Sequence, residues 1–77
     1  MGQVVGDAEG IVISVDVERG RVTLKHGAIQ ALGMPAMTMV FRAADSAMLV
    51  NVKPGDAVRF KVVRAENHFT VTQLARR

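Results

Sequence analysis

Seventy-seven residues, 49% hydrophobic and 22% charged with no cysteine, describe one small folded domain and exclude intrinsic disorder. A chain of this size buries only about 60% of its unfolded surface, so its thin core must hold without a disulfide. Ten Lys and Arg against seven Asp and Glu leave a formal charge of +3, scattered along the chain in the manner of a solvated surface and not of a polyanion footprint.

No apolar run approaches the ~20 residues that span a bilayer, so membrane insertion is not expected. The start, MGQVVGDAEG, has neither a basic nor an apolar targeting region. Residues 1–8 are expected to be a flexible N-terminal segment ahead of a folded domain over 9–75. Any export signal has then been removed, or the chain is a piece of a longer exported protein.

In "EGIVISVDVERG", Ile11, Ile13, Val15 and Val17 alternate with Val12, Ser14 and Asp16, a period of two that predicts a strand. Arg19-Gly20 turns the chain back along Arg21 to His26, completing a hairpin. "GAIQALG", between Gly27 and Gly33, is too short for a stable helix and reads as a loop with at most one helical turn. "AMTMVFR" is a third strand, and "AADSAMLVNV" a helical turn with Leu49 and Val52 inward. Pro54-Gly55 makes a turn into a fourth strand with Val58, Phe60 and Val62 on one face. "AENH" is a tight turn. "FTVTQLA" is a fifth strand with Phe69, Val71 and Gln73 opposite Thr70, Thr72 and Leu74. The sequence therefore predicts an all-β fold, a small five-stranded OB-like barrel, whose closure removes edges that invite aggregation.

Met34, Met37 and Met39 crowd one corner of this chain. Met37 and Met39 lie two apart on a strand and leave the same face, while Met34 is held in extended geometry by Pro35. His26 ends the preceding strand, and the loop 27–36 returns the chain toward it. One imidazole and two or three thioethers converge at one mouth of the barrel. Neutral, soft sulfur suits Cu(I) and, by the same softness, Ag(I), and is a poor ligand for Zn(II), Mg(II) or Ca(II). The competing reading is packing, since methionine is a common core filler and a lone histidine is more often structural. The residues alone leave both open.

The run "LKHGAIQALGMPAMTMVF", flanked by "GIVISVDVERGRVTLKH" and "VKPGDAVRFKVVR", resembles the periplasmic Cu(I)/Ag(I) metallochaperones of the CusF type over about Glu9 to Leu74. These occur as free chaperones or as domains of heavy-metal efflux adaptor proteins. The resemblance implies a five-stranded OB-like barrel over 9–75 binding one Cu(I) or Ag(I) per chain through His26, Met37 and Met39. It also implies a periplasmic location, a monomer as an isolated domain, and a partner among the components of a heavy-metal efflux pump, either the adaptor or the inner-membrane transporter. Met34 stands where the family has a tryptophan covering the metal. It either adds a third sulfur, as a fourth ligand, or serves as an apolar lid.

The other candidates are weaker. Met48 and Phe41, Phe60 and Phe69 read as packing, Phe41 also as a wall of the site, and His68 reads as exposed. Asp7, Glu9, Asp16 and Glu18 are ordinary solvated charge. A structural module without metal transfer is the main alternative function. Single-stranded nucleic-acid binding needs more stacking aromatics than three phenylalanines supply, so no nucleic acid is expected. No nucleophile–base set or phosphate loop is present, so no enzyme activity is expected either.

Overall fold

Alternating apolar and polar residues lay down five strands in the computed structural model, which describes residues 4–65 and 68–77. They are β1 (Val4–Asp16), β2 (Arg21–His26), β3 (Met37–Ala43), β4 (Ala57–Ala65) and β5 (His68–Arg76). The strands close into a five-stranded barrel, as the sequence predicts, and the structure gives their order as β1-β2-β3-β5-β4. All neighbours are antiparallel except β3 and β5, which run parallel and pair only at Arg42–Thr70 and Ala43–Val71. This seam is the narrowest join in the barrel.

The core follows from strand alternation. Val22 and Leu24 on β2, Val58, Phe60 and Val62 on β4, and Val71 on β5 are all buried, as is Phe41 on β3. Phe41 and Phe60 meet with ring centroids 5.6 Å apart. Phe69 and Met48 are half-buried and pack against this cluster. Leu49 and Val52 are buried as expected. Leu49 ends, and Val52 follows, a 3-10 turn, Ser46–Leu49, whose preceding Asp45 carboxylate accepts the Ala47 N–H at 2.9 Å.

The structure corrects two expectations and, between them, assigns the inward face of β1 that the alternation left open. First, β1 begins at Val4 and pairs with β4 from Val4–Arg64 onward, so residues 4–8 are strand and not a flexible lead-in. Gly6 and Ala8 face inward there, and small residues are needed because a Cβ on Gly6 would lie 2.5 Å from Ile29 Cγ2. Second, the buried residue in the middle of β1 is Val12, while Ile11, Ile13 and Val17 are exposed. A bulge between Val12 and Ser14 leaves Ile13 without a partner on β2. Third, Leu74 packs on the core and Gln73 is exposed, because the register shifts where Lys61 pairs with Gln73 and Val62 with Val71. Thr72 is skipped, and the inward face changes parity after it. The tight turn expected at "AENH" falls at Glu66 and Asn67, outside the described residues.

Turns and charges are conventional. Gly20 and Gly55 take positive φ, 65° and 95°, where a side chain would be strained. The Asp16 carboxylate accepts the Arg19 backbone N–H at 3.1 Å and pairs with its guanidinium. These contacts, the backbone one first, hold its pKa below the usual carboxylate range. Glu9 pairs with Arg59 and Arg77, both at 3.1 Å, on the exposed outer wall, where such pairs contribute about 0–1 kcal/mol.

Candidate metal centre

β2 presents Val22, Leu24 and His26 to the barrel interior, 1%, 0% and 3% exposed. Antiparallel pairing sets Phe41, Met39 and Met37 of β3 opposite them in turn. His26 and Met37 are thus direct cross-strand partners, a relation that brings Cβ atoms to about 4.5–5.5 Å. Met39 lies one step along the same face, on the diagonal from His26, about 7–8 Å away. Burial on β2 stays complete up to His26. On β3 it fades from Phe41 through half-buried Met39 to Met37, 43% exposed. The histidine therefore forms the floor of an open corner, and the methionines form its approach.

The His26 ring is held on three sides. Phe41 and Phe60 meet it edge-on, with centroids 5.5 Å and 6.3 Å away. Its Nδ1 lies 2.7 Å from the Gly27 carbonyl oxygen. A carbonyl only accepts, so Nδ1 carries the hydrogen, and in the neutral ring the lone pair is on Nε2. Nε2 is buried and has no hydrogen-bond partner among the described residues. Leaving such an acceptor unpaired costs about 1–3 kcal/mol. The same arrangement is the one a metal-binding histidine uses: the far ring nitrogen fixed by a backbone carbonyl, the near one bare.

Two glycines make this seat, and the sequence reading missed both. Gly10 of β1 pairs with His26, and a Cβ there would lie 2.4 Å from the Lys25 carbonyl oxygen and 3.1 Å from His26 Cα. Gly27 donates its N–H to the Glu9 carbonyl at 3.1 Å, a backbone contact that ties to β1 the residue whose carbonyl orients the imidazole. A glycine inside a strand pattern marks a close backbone approach, and Gly10 carried that signal.

The loop after His26 is built, not slack. Ile29 and Met34 bond each other through both backbone groups, at 2.8 Å and 3.1 Å. The 3-10 turn Gln30–Leu32 lies between them, and Gly33 closes it at φ 66°. Ile29 and Leu32 are buried over Gly6. Met34 is half-buried against the core cluster at the point where the chain turns into β3. The structure thus brings His26, Met37 and Met39 onto one face and holds Met34 by its backbone to Ile29, three residues ahead of Met37. His68 is exposed, at the start of β5. Among the described residues there is no group of three or more His, Cys, Asp or Glu that could hold a metal ion.

Comparison with known proteins gives a consistent picture. A family model described as copper binding periplasmic protein CusF matches residues 5–76. The cation efflux system protein CusF of Escherichia coli O6:H1 is 37% identical over 60 residues, which cover 78% of this chain and 54% of that protein. Its counterpart from Escherichia coli K12 is 35% identical over the same shares. The chain spans about half the length of the curated relatives it matches. Among solved structures, CusF with Ag(I) from Escherichia coli superposes with a TM-score of 0.87 at 30% identity, covering 99% of this chain and 96% of that one. The C-terminal domain of SilB from Cupriavidus metallidurans gives 0.78 at 27% identity, covering 95% and 88%.

Proposed function

Because this chain belongs to the CusF family of copper-binding periplasmic proteins, we propose that it carries one Cu(I) or Ag(I) on His26, Met34, Met37 and Met39. The observation that carries the reading is the bare, buried Nε2 of His26, directly across from Met37. A nitrogen lone pair and neutral sulfurs hold a monovalent soft ion without excess charge, and they do not suit Zn(II) or the hard divalent ions. Nothing in this chemistry turns over a substrate: the family binds metal, and the ion is cargo. The ion is exchanged between ligands with no change of oxidation state. The relatives named as cation efflux proteins, and the likeness to a SilB domain, support a periplasmic carrier that hands its ion to an efflux component. Met34, in the place of the family's tryptophan, supplies a further sulfur.

Competition titration tests this. Ag(I) should bind one per chain, with Zn(II) at least ~100-fold weaker. Met34→Leu keeps the volume and removes a sulfur, so Ag(I) affinity should fall by about 5–30-fold, or 1–2 kcal/mol. Comparable Zn(II) affinity would overturn the soft-site reading. Unchanged Ag(I) binding in the leucine variant would reduce Met34 to a lid.

A further inference from the structure

The β3–β5 seam has a consequence for the partner. Pairing across it stops at Arg42–Thr70, so among the described residues Met37–Phe41 pair with β2 alone. Their other backbone edge is a template for an added strand. The stretch is MTMVF, with no charge and no proline to blunt it, and Met37 and Val40 are 43% and 53% exposed. Where the two strands part, a cleft of about 290 Å³ opens, lined by Arg21, Val40, Phe41, Arg42 and Phe69. β2 and β3 together carry Arg21, Lys25 and Arg42 and no acidic residue.

We propose that an extended, acidic, methionine-bearing segment of the receiving protein docks here as an added strand on the edge of β3 that is unpaired among the described residues, at Met37–Phe41. The inference rests on the soft-metal reading above. Strands in a sheet lie about 4.7–4.9 Å apart, and alternate side chains share a face. Two methionines spaced i, i+2 on the incoming segment therefore stand beside Met37 and Met39, on the same face. The ion moves as a bond to an incoming sulfur forms and the bond to Met37 breaks. It stays monovalent and is not released to water. The backbone supplies affinity, the paired thioethers supply selectivity, and the basic rim selects an acidic segment. An apolar side chain on the segment fills the cleft beside Phe69.

The experiment uses the whole chain and a short synthetic peptide with a Met-Thr-Met centre and acidic flanks, followed by amide NMR with and without Ag(I). Shifts and slowed amide exchange should concentrate on Met37–Phe41. N-methylating alternate peptide amides, which blocks strand pairing but keeps both thioethers, should weaken binding at least about tenfold. Replacing the acidic flanks by lysine should weaken it similarly. Equal affinity for the N-methylated peptide, or shifts on another face, would overturn the proposal. Self-association of the chain through the same residues would make a second copy the occupant and overturn it as well. A chain that takes up Ag(I) but ignores the peptide loses the docking inference alone. A chain that takes up no Ag(I) loses the functional reading, and strand addition is still read in the metal-free protein.

Discussion

His26 buries a lone pair that nothing among the described residues satisfies. Such a group is retained at a cost in stability, so removing it should separate folding from function. In His26→Leu the unpaired acceptor is gone, which returns about 1–3 kcal/mol. Against this stands the loss of the edge contacts with Phe41 and Phe60, about 0.5–1.5 kcal/mol. Urea unfolding should show stability held or raised, while Ag(I) affinity falls at least about tenfold. A stability loss above about 2 kcal/mol would mark the ring as a structural element. At this scale the sequence was informative about identity and silent about state. The histidine's place at a strand end and the i, i+2 methionines were readable from alternation. That Nδ1 is committed to the Gly27 carbonyl, leaving Nε2 bare, depends on one backbone oxygen whose direction no pattern encodes.

Among the elements, the pairing of β1 with the end of β2, Gly10 against His26, helps to position the site. Gly10→Ala puts a methyl against the Lys25 carbonyl, and overpacking of this kind costs about 1–3 kcal/mol. Because the displaced backbone carries His26, the same variant should also lose Ag(I) affinity. Gly27→Ala is the control: a Cβ there meets nothing within 4 Å, so stability should move by no more than about 0.5 kcal/mol. Denaturant unfolding and metal competition on both variants would settle it, and equal effects would remove the special role of Gly10. The five strands and most turns were legible, because period-two alternation and Gly or Pro punctuation are local signals. The bulges were not. Skipping Ile13 on β1 and Thr72 on β5 reverses which residues face inward, and nothing in either segment announces the reversal. The start of β1 was missed for a related reason: Gly6 and Ala8 are small for packing against the loop at Ile29, and small residues read locally as flexibility.

For the molecule as a whole, the core is a continuous apolar cluster around Phe41, Phe60 and the valines, side chains that do not ligate a metal. The metal should therefore stabilise a barrel already formed. Binding to the folded state alone adds about 2.7 kcal/mol at a free ion concentration 100 times Kd, which for a domain of this size raises Tm by about 10–20 °C. Thermal melts with and without Ag(I) should show that rise with the same far-UV spectrum. A metal-free chain lacking a cooperative transition would mean that the ion is needed to fold it. The barrel itself was legible from strand count and edge closure. The short parallel seam was not, since pairing between distant strands leaves no mark in either one.

The fading burial from His26 through Met39 to Met37 also sets an order of chemical wear. Thioether sulfur is oxidised to the sulfoxide where oxidant can reach it, and the product is polar and a poorer soft ligand. Met37, the outermost of the proposed sulfurs, should be the first to go under limited peroxide, with half-buried Met39 and Met34 following, as peptide mass spectrometry can follow residue by residue. A bound ion occupies the sulfur lone pairs and should slow all three. Oxidative damage would then fall on the empty carrier more than on the loaded one, and it would begin at the residue that meets the ion first.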